Sequence, residues 1–158
     1  MKKTIILLLF ACILFHRPSF AQSDTTLVTM PGTSIQLPKP KGFHLSDQFP
    51  GLIHEGSATT IFAMEKEGTP FQMVVEAMDE SYFSSQQMRF ISKEKFSHHQ
   101  WIGVLFICAF TVDSVDFQRA ILVTGDHNQS KIIIANYPEV AKANLETTIR
   151  ECFDYVQF

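Results

Sequence analysis

The groups in this chain that could do chemistry are its six histidines, three cysteines and 16 acidic residues. His98 and His99 are neighbours, while His44, His54 and His127 are scattered. Adjacent side chains on a strand point to opposite faces, so such a pair cannot close on one ion unless a turn intervenes. No H-x-x-x-H, H-E-x-x-H or C-x-x-C spacing occurs, and the histidines read as solvated loop residues rather than metal ligands. Glu65, Glu67, Glu76, Asp79 and Glu80 could supply a glycosidase pair, but a solvated helix face accounts for them more simply. Gly56-Ser57-Ala58 lacks the glycines that frame a nucleophile elbow, and no glycine-rich phosphate loop is present. The sequence therefore predicts no catalytic residue, no metal site and no cofactor.

Two constellations remain open. Cys108 falls within an apolar strand and Cys152 on the apolar stripe of a C-terminal helix, so a disulfide between them is conceivable in an oxidising compartment. Closing that loop would add about 3–4 kcal/mol. A helix packs about 10 Å above a sheet, however, and the bond needs Cα atoms within about 7 Å. Two buried free thiols acting as small apolar fillers are the alternative. Among 15 phenylalanines, Phe43 and Phe49 flank a Pro/Gly loop. With Trp101 they could line a groove for an apolar ligand or a partner, loop anchoring being the simpler reading.

The elements that must position these groups follow from pattern. Leu27–Met30 and Ser34–Leu37 read as short strands around Pro31-Gly32, and Leu52–His54 and Thr59–Met64 as two more. Thr69 is placed to cap a helix that starts at Pro70 and carries Phe71, Val74, Val75 and Met78 on one face. A shorter helix follows over Ser81–Gln87. Arg89–Phe96 alternates imperfectly, with Phe90, Ser92, Glu94 and Phe96 on one side. Trp101–Val112 is almost wholly apolar, as are Ala120–Val123 and Ile132–Ile134, so both faces of those strands must be covered. Their short connections, Asp113-Ser114 and Gly125–Asn128, make the neighbours antiparallel. A last helix from Pro138 presents Ala141, Leu145, Ile149, Cys152 and Val156 as one stripe, with Glu146 and Arg150 paired on the other side. The expected fold class is α+β, an antiparallel sheet with helices on both faces.

Length and composition bound the rest. A chain of 158 residues, 46% apolar and 18% charged, is one domain with a real core, not a disordered segment. A net charge of −3 leaves no basic excess for nucleic acid. Lys2 and Lys3, the apolar run Thr4–Phe15 and the small-x-small Ser19-Phe20-Ala21 predict a signal peptide over residues 1–21, ahead of a single domain over 22–158. The apolar run is too short to span a bilayer, and no later stretch reaches that length, so no transmembrane segment is expected after cleavage. The leader carries Lys2, Lys3 and Arg17 and no acid, so its removal leaves a more acidic chain. Leu9-Phe10-Ala11-Cys12 loosely matches a lipobox and keeps acylation at Cys12 as the alternative. Either route puts the protein in the periplasm or outside the cell.

Leu37-Pro38-Lys39-Pro40-Lys41-Gly42-Phe43 and Phe49-Pro50-Gly51-Leu52 resemble the N-terminal signature of small PsbP-like bacterial proteins, including the DcrB-type periplasmic group. Thr59–Glu65 followed by Thr69-Pro70-Phe71, then Ala120–Asp126 and Ile134–Glu139, are similar in order to that family's middle and last elements. Ser97-His98-His99-Gln100 departs from it, where a Gly-containing turn is usual. The resemblance implies an α/β/α sandwich around an antiparallel sheet, of the same fold class as Ran-binding Mog-type proteins and an extrinsic photosystem II subunit. It implies a non-enzymatic accessory module with an envelope protein as partner, and it offers no catalytic residues to carry over. A periplasmic binder of small apolar molecules is the alternative.

Overall fold

A computed structural model describes residues 26–158; the expected leader, residues 1–21 with Cys12, lies outside them. Seven strands form one antiparallel sheet in the order β3-β4-β5-β9-β8-β7-β6. They are β3 (His44–Leu45), β4 (Gly51–His54), β5 (Thr59–Glu67), β6 (Arg89–Ser97), β7 (Ile102–Val112), β8 (Val115–Gly125) and β9 (Gln129–Pro138). A separate ribbon pairs β1 (Leu27–Thr29) with β2 (Gln36–Pro38), and Gln157 bridges to Gln36 on its other side. The helices are α1 (Phe71–Ala77), α2 (Glu80–Ser85) and α3 (Lys142–Asp154).

The meander β6–β9 forms because β7, β8 and β9 are apolar on both faces and its connections are too short for anything but hairpins. Asp113 and Ser114 turn the β7–β8 hairpin with φ of 49° and 65°, the left-handed pair that matches the twist of the strands it joins. Alternate residues then feed two cores. Leu105, Leu122, Ile133, Ala135, Ile61 and Leu52 gather with Ile149, Cys152, Phe153 and Val156. Phe106, Cys108, Ile121, Val123 and Ile132 gather with Val75, Met78 and Phe83.

Local details depart from expectation in four places. Pro70, not Thr69, occupies the N-cap of α1, with no side-chain cap bond; the Thr69 carbonyl instead accepts from the Ser130 hydroxyl at 2.6 Å. Asp79, read from sequence as a surface acid, caps α2 by accepting from the Tyr82 amide at 2.8 Å. Arg150 reaches across to Glu94 at 2.6 Å instead of pairing along its own helix with Glu146. Phe153, outside the expected stripe, is fully buried.

The imperfect alternation of β6 has a concrete origin. Phe90 stands opposite Cys108 and Ser92 opposite Ile107, so Ile91 is an extra residue, a bulge. The insertion exchanges the faces on its two sides. Phe90 packs with the core under α1 and α2, where its ring stacks on Phe83, while Phe96 joins the other core. Deleting Ile91 regularises the ladder and leaves Phe90 opposite Cys108, so it is the Phe90 ring, not the extra residue, that this core depends on. Phe90→Ala should lose about 2–3 kcal/mol in urea denaturation, against under about 1 kcal/mol for Ile91→Thr, whose side chain is exposed.

Candidate functional site

The expected groove residues do not converge. Phe43 is buried against the first core, and its ring lies 5.3 Å from that of His54. It lines an open groove of about 730 Å³ between α3 and the Pro38–Phe43 loop, with Lys39, Lys41, Leu145, Thr148 and Cys152. Phe49 sits outside that lining, its ring against Gly51 so closely that a Cβ there would clash at 2.5 Å. Trp101 lies toward the opposite end of the strands, just before β7, stacked on Phe96 and His98 and edge-on to Phe158. Its buried Nε1–H finds no acceptor among the described residues. Strand direction separates them: Phe43 precedes His44, which the ladder aligns with Arg119 through Ile53, Thr60 and Asn136, whereas Trp101 precedes the Gly103–Thr124 pair.

His98, His99 and His127 lie in turns as expected, whereas His44 and His54 lie on strands. His54 is on β4 and shares a 2.8 Å hydrogen bond with Ser57 Oγ, and His44 on β3 lies 3.5 Å from Glu55. His98 stays in the β6–β7 turn, where its amide donates to the Trp101 carbonyl at 3.0 Å and its ring packs edge-on to His99. Among the described residues, no three His, Cys, Asp or Glu side chains gather where they could hold one ion.

Both remaining cysteines are free thiols, which corrects the possible disulfide. Cys108 belongs to the core under α1 and α2, and its Sγ lies 3.6 Å from Met88 Sδ. Cys152 belongs to the core under α3 and donates to the Pro38 carbonyl at 3.3 Å. The sheet stands between them, because Cys108 alternates with the residues that face Cys152. Burial pushes the thiols up to about 11 and about 12 respectively, so neither is a nucleophile at neutral pH.

Glu65 lies on β5 rather than on a helix face. Its carboxylate accepts from the Ser34 hydroxyl at 2.6 Å and the Ser34 amide at 3.1 Å, and Lys131 approaches to 3.4 Å. Burial opposes ionisation, but these donors outweigh it and hold the carboxyl below its usual range. The bond ties the ribbon's turn to the sheet.

Sequence reasoning missed a surface. On the face shared with α1 and α2, Ile53, Thr60, Phe62, Ile134, Asn136 and Arg119 are only partly buried and Met64 is 36% exposed. Those helices are seven and six residues long; α1 rests on β8 and β9, and α2 on β6. They do not reach the β4–β5 side. A polar row crosses this open half: Arg119 Nε donates to Asn136 Oδ1 at 2.6 Å, and Asn136 Nδ2 to Thr60 Oγ1 at 3.0 Å. The guanidinium also stacks 4.8 Å above the Phe110 ring and approaches Met88 Sδ at 3.5 Å. By register, the charged strand side chains on this face are Lys66, Lys93, Lys95 and Arg119, with no carboxylate among them. The even positions of β5 on this face run Thr60, Phe62, Met64, Lys66.

No known family profile and no curated protein matches this sequence. Solved structures do. LpqN of Mycobacterium tuberculosis, described as involved in cell envelope biogenesis, superposes with a TM-score of 0.58 at 12% identity, over 84% of this chain and 88% of that one. The cyanobacterial PsbP (CyanoP) from Synechocystis gives 0.55 at 12% identity, over 92% and 98%. A Bacteroides thetaiotaomicron structure gives 0.57 at 10% identity, this chain spanning about half of it (48%). The fold is PsbP-like.

Two outcomes test this geometry. A thiol reagent should leave both cysteines unmodified in the native protein and label both after unfolding, with the melting temperature unchanged by reductant. For Glu65, a lowered folded-state pKa means that its stabilisation is present above the ordinary carboxyl range and is lost as pH falls through the folded value. Glu65→Gln should therefore lose less stability than the wild type between pH 6 and pH 3 in chemical denaturation.

Proposed function

We propose that this protein is a non-enzymatic accessory or protein-interaction module of the cell envelope, exported by the leader over residues 1–21 and acting through the open half of its sheet. Its domain, 22–158, is an α/β/α sandwich whose second helical layer is incomplete. The observation that carries this reading is the partly exposed apolar set Ile53, Phe62, Met64 and Ile134, bordered by Arg119. A sheet face of that composition is ordinarily buried against another element. Buried hydroxyls, by contrast, are engaged in structural bonds: Tyr137 Oη donates to Gln118 Oε1 at 3.0 Å, and the Thr124 hydroxyl to the Ile102 carbonyl at 2.8 Å. The involvement of LpqN in cell envelope biogenesis supports the compartment.

A second reading, binding of a small apolar molecule, draws on the groove beside Phe43, where Pro38, Leu145 and Cys152 supply apolar walls. Photo-crosslinking in intact cell envelopes separates the two. A photoreactive residue at Met64 should yield a discrete protein adduct, and one at Thr148 in the groove should not. Adducts from Thr148 alone would move the contact to the groove. Adducts from neither position, together with thermal stabilisation by a medium-chain fatty acid, would replace the module by the ligand binder.

A further inference from the structure

We propose that the open half of the sheet docks an amphipathic α-helix of a partner protein, apolar along one stripe and carrying a carboxylate that reaches Arg119. This rests on the interaction-module reading above. The same face already receives helices on its other half, where Val75, Met78 and Phe83 sit on Phe106, Ile121 and Val123. Beyond the part of β9 that α1 covers, β4, β5 and the Ile134–Asn136 part of β9, at about 4.8 Å spacing, offer a strip of about the width of one further helix. Ile53, Phe62, Met64 and Ile134 occupy the positions that would meet an apolar stripe.

Charge selects the occupant. Arg119 is partly buried, its bonded neighbours Asn136 and Met88 are neutral, and the strand charges on this face are all basic. A guanidinium in that setting is complemented by a carboxylate, which it can hold through two parallel N–H groups. A second copy of this chain would bring the same bases and no strand carboxylate to a two-fold contact. An extended peptide needs a free edge, and the edge beside β4 is the two-residue β3.

The test titrates the isotope-labelled full chain with two synthetic helical peptides of about 18 residues sharing a leucine stripe. One carries glutamates beside the stripe and the other carries lysines at the same positions. The glutamate peptide should shift the amides of Ile53, Phe62, Met64 and Ile134. Met64→Asp, at an exposed position, and Arg119→Gln should each weaken binding about tenfold. Arg119→Glu should invert the preference toward the lysine peptide, a rescue that lost folding cannot mimic. Equal binding of both peptides, or shifts confined to Phe43 and Leu145, would overturn the proposal. So would phosphatidylglycerol vesicles binding more tightly than the peptide with the same dependence on Met64 and Arg119. Self-association abolished by Met64→Asp would assign the face to a second copy. If the peptides fail while Met64 still gives envelope adducts, the helix is wrong and the module reading stands; if both fail, both fall.

Discussion

Everything in this fold depends on the double-sided burial of β7, β8 and β9. Leu105, Leu122 and Ile133 face one core while Phe106, Ile121 and Ile132 face the other, and all six are buried. Strands of this kind are unstable in water unless each face meets a partner. One face is met by α3 and the β1–β2 ribbon, the latter held by Glu65 and by Gln157. The other is met by helices of seven and six residues, which suffice for β6 to β8 and stop short of β4 and β5. The asymmetry of the molecule, closed on one side and half open on the other, follows from that shortfall in helix length.

How much of this was legible in the sequence depended on whether a feature lives in periodicity or in three dimensions. The meander was readable because uninterrupted apolar runs separated by Asp113-Ser114 and Gly125–Asn128 admit few arrangements. The bulge at Ile91 left only a blurred alternation, since inserting one residue changes faces without changing composition. Glu94 took Arg150 from Glu146 because contacts across the sheet edge compete with those one turn away, and sequence spacing reports only the latter. Phe43 and Trp101 looked like partners by type. The ladder sets them near opposite ends of the strands, which no local pattern encodes.

The open face was the hardest feature to read. In β5 both sets of alternate residues pass from a threonine to apolar side chains, Thr59-Ile61-Ala63 and Thr60-Phe62-Met64, so hydropathy marks a central strand and does not say which face lacks cover. Only the helix lengths decide that, and helix boundaries are the least certain part of any pattern reading. The thiols teach a related point: Cys108 and Cys152 are both buried, and which of two cores each belongs to turns on parity along one strand.

The order of strands also governs when the sheet can close. β5 takes its long partner from β9, and the Thr60–Asn136 bond spans 76 residues. A chain that emerges N-terminus first therefore carries β3, β4 and β5 with only one another to pair with until β9 has also emerged. The hairpins of the meander assemble locally, and the N-terminal strands are added through contacts with a high loop-closure cost. For most of its synthesis the emerging chain lacks β9, the strand that joins the N-terminal strands to the meander, so the seven-stranded sheet is completed late, after its local hairpins.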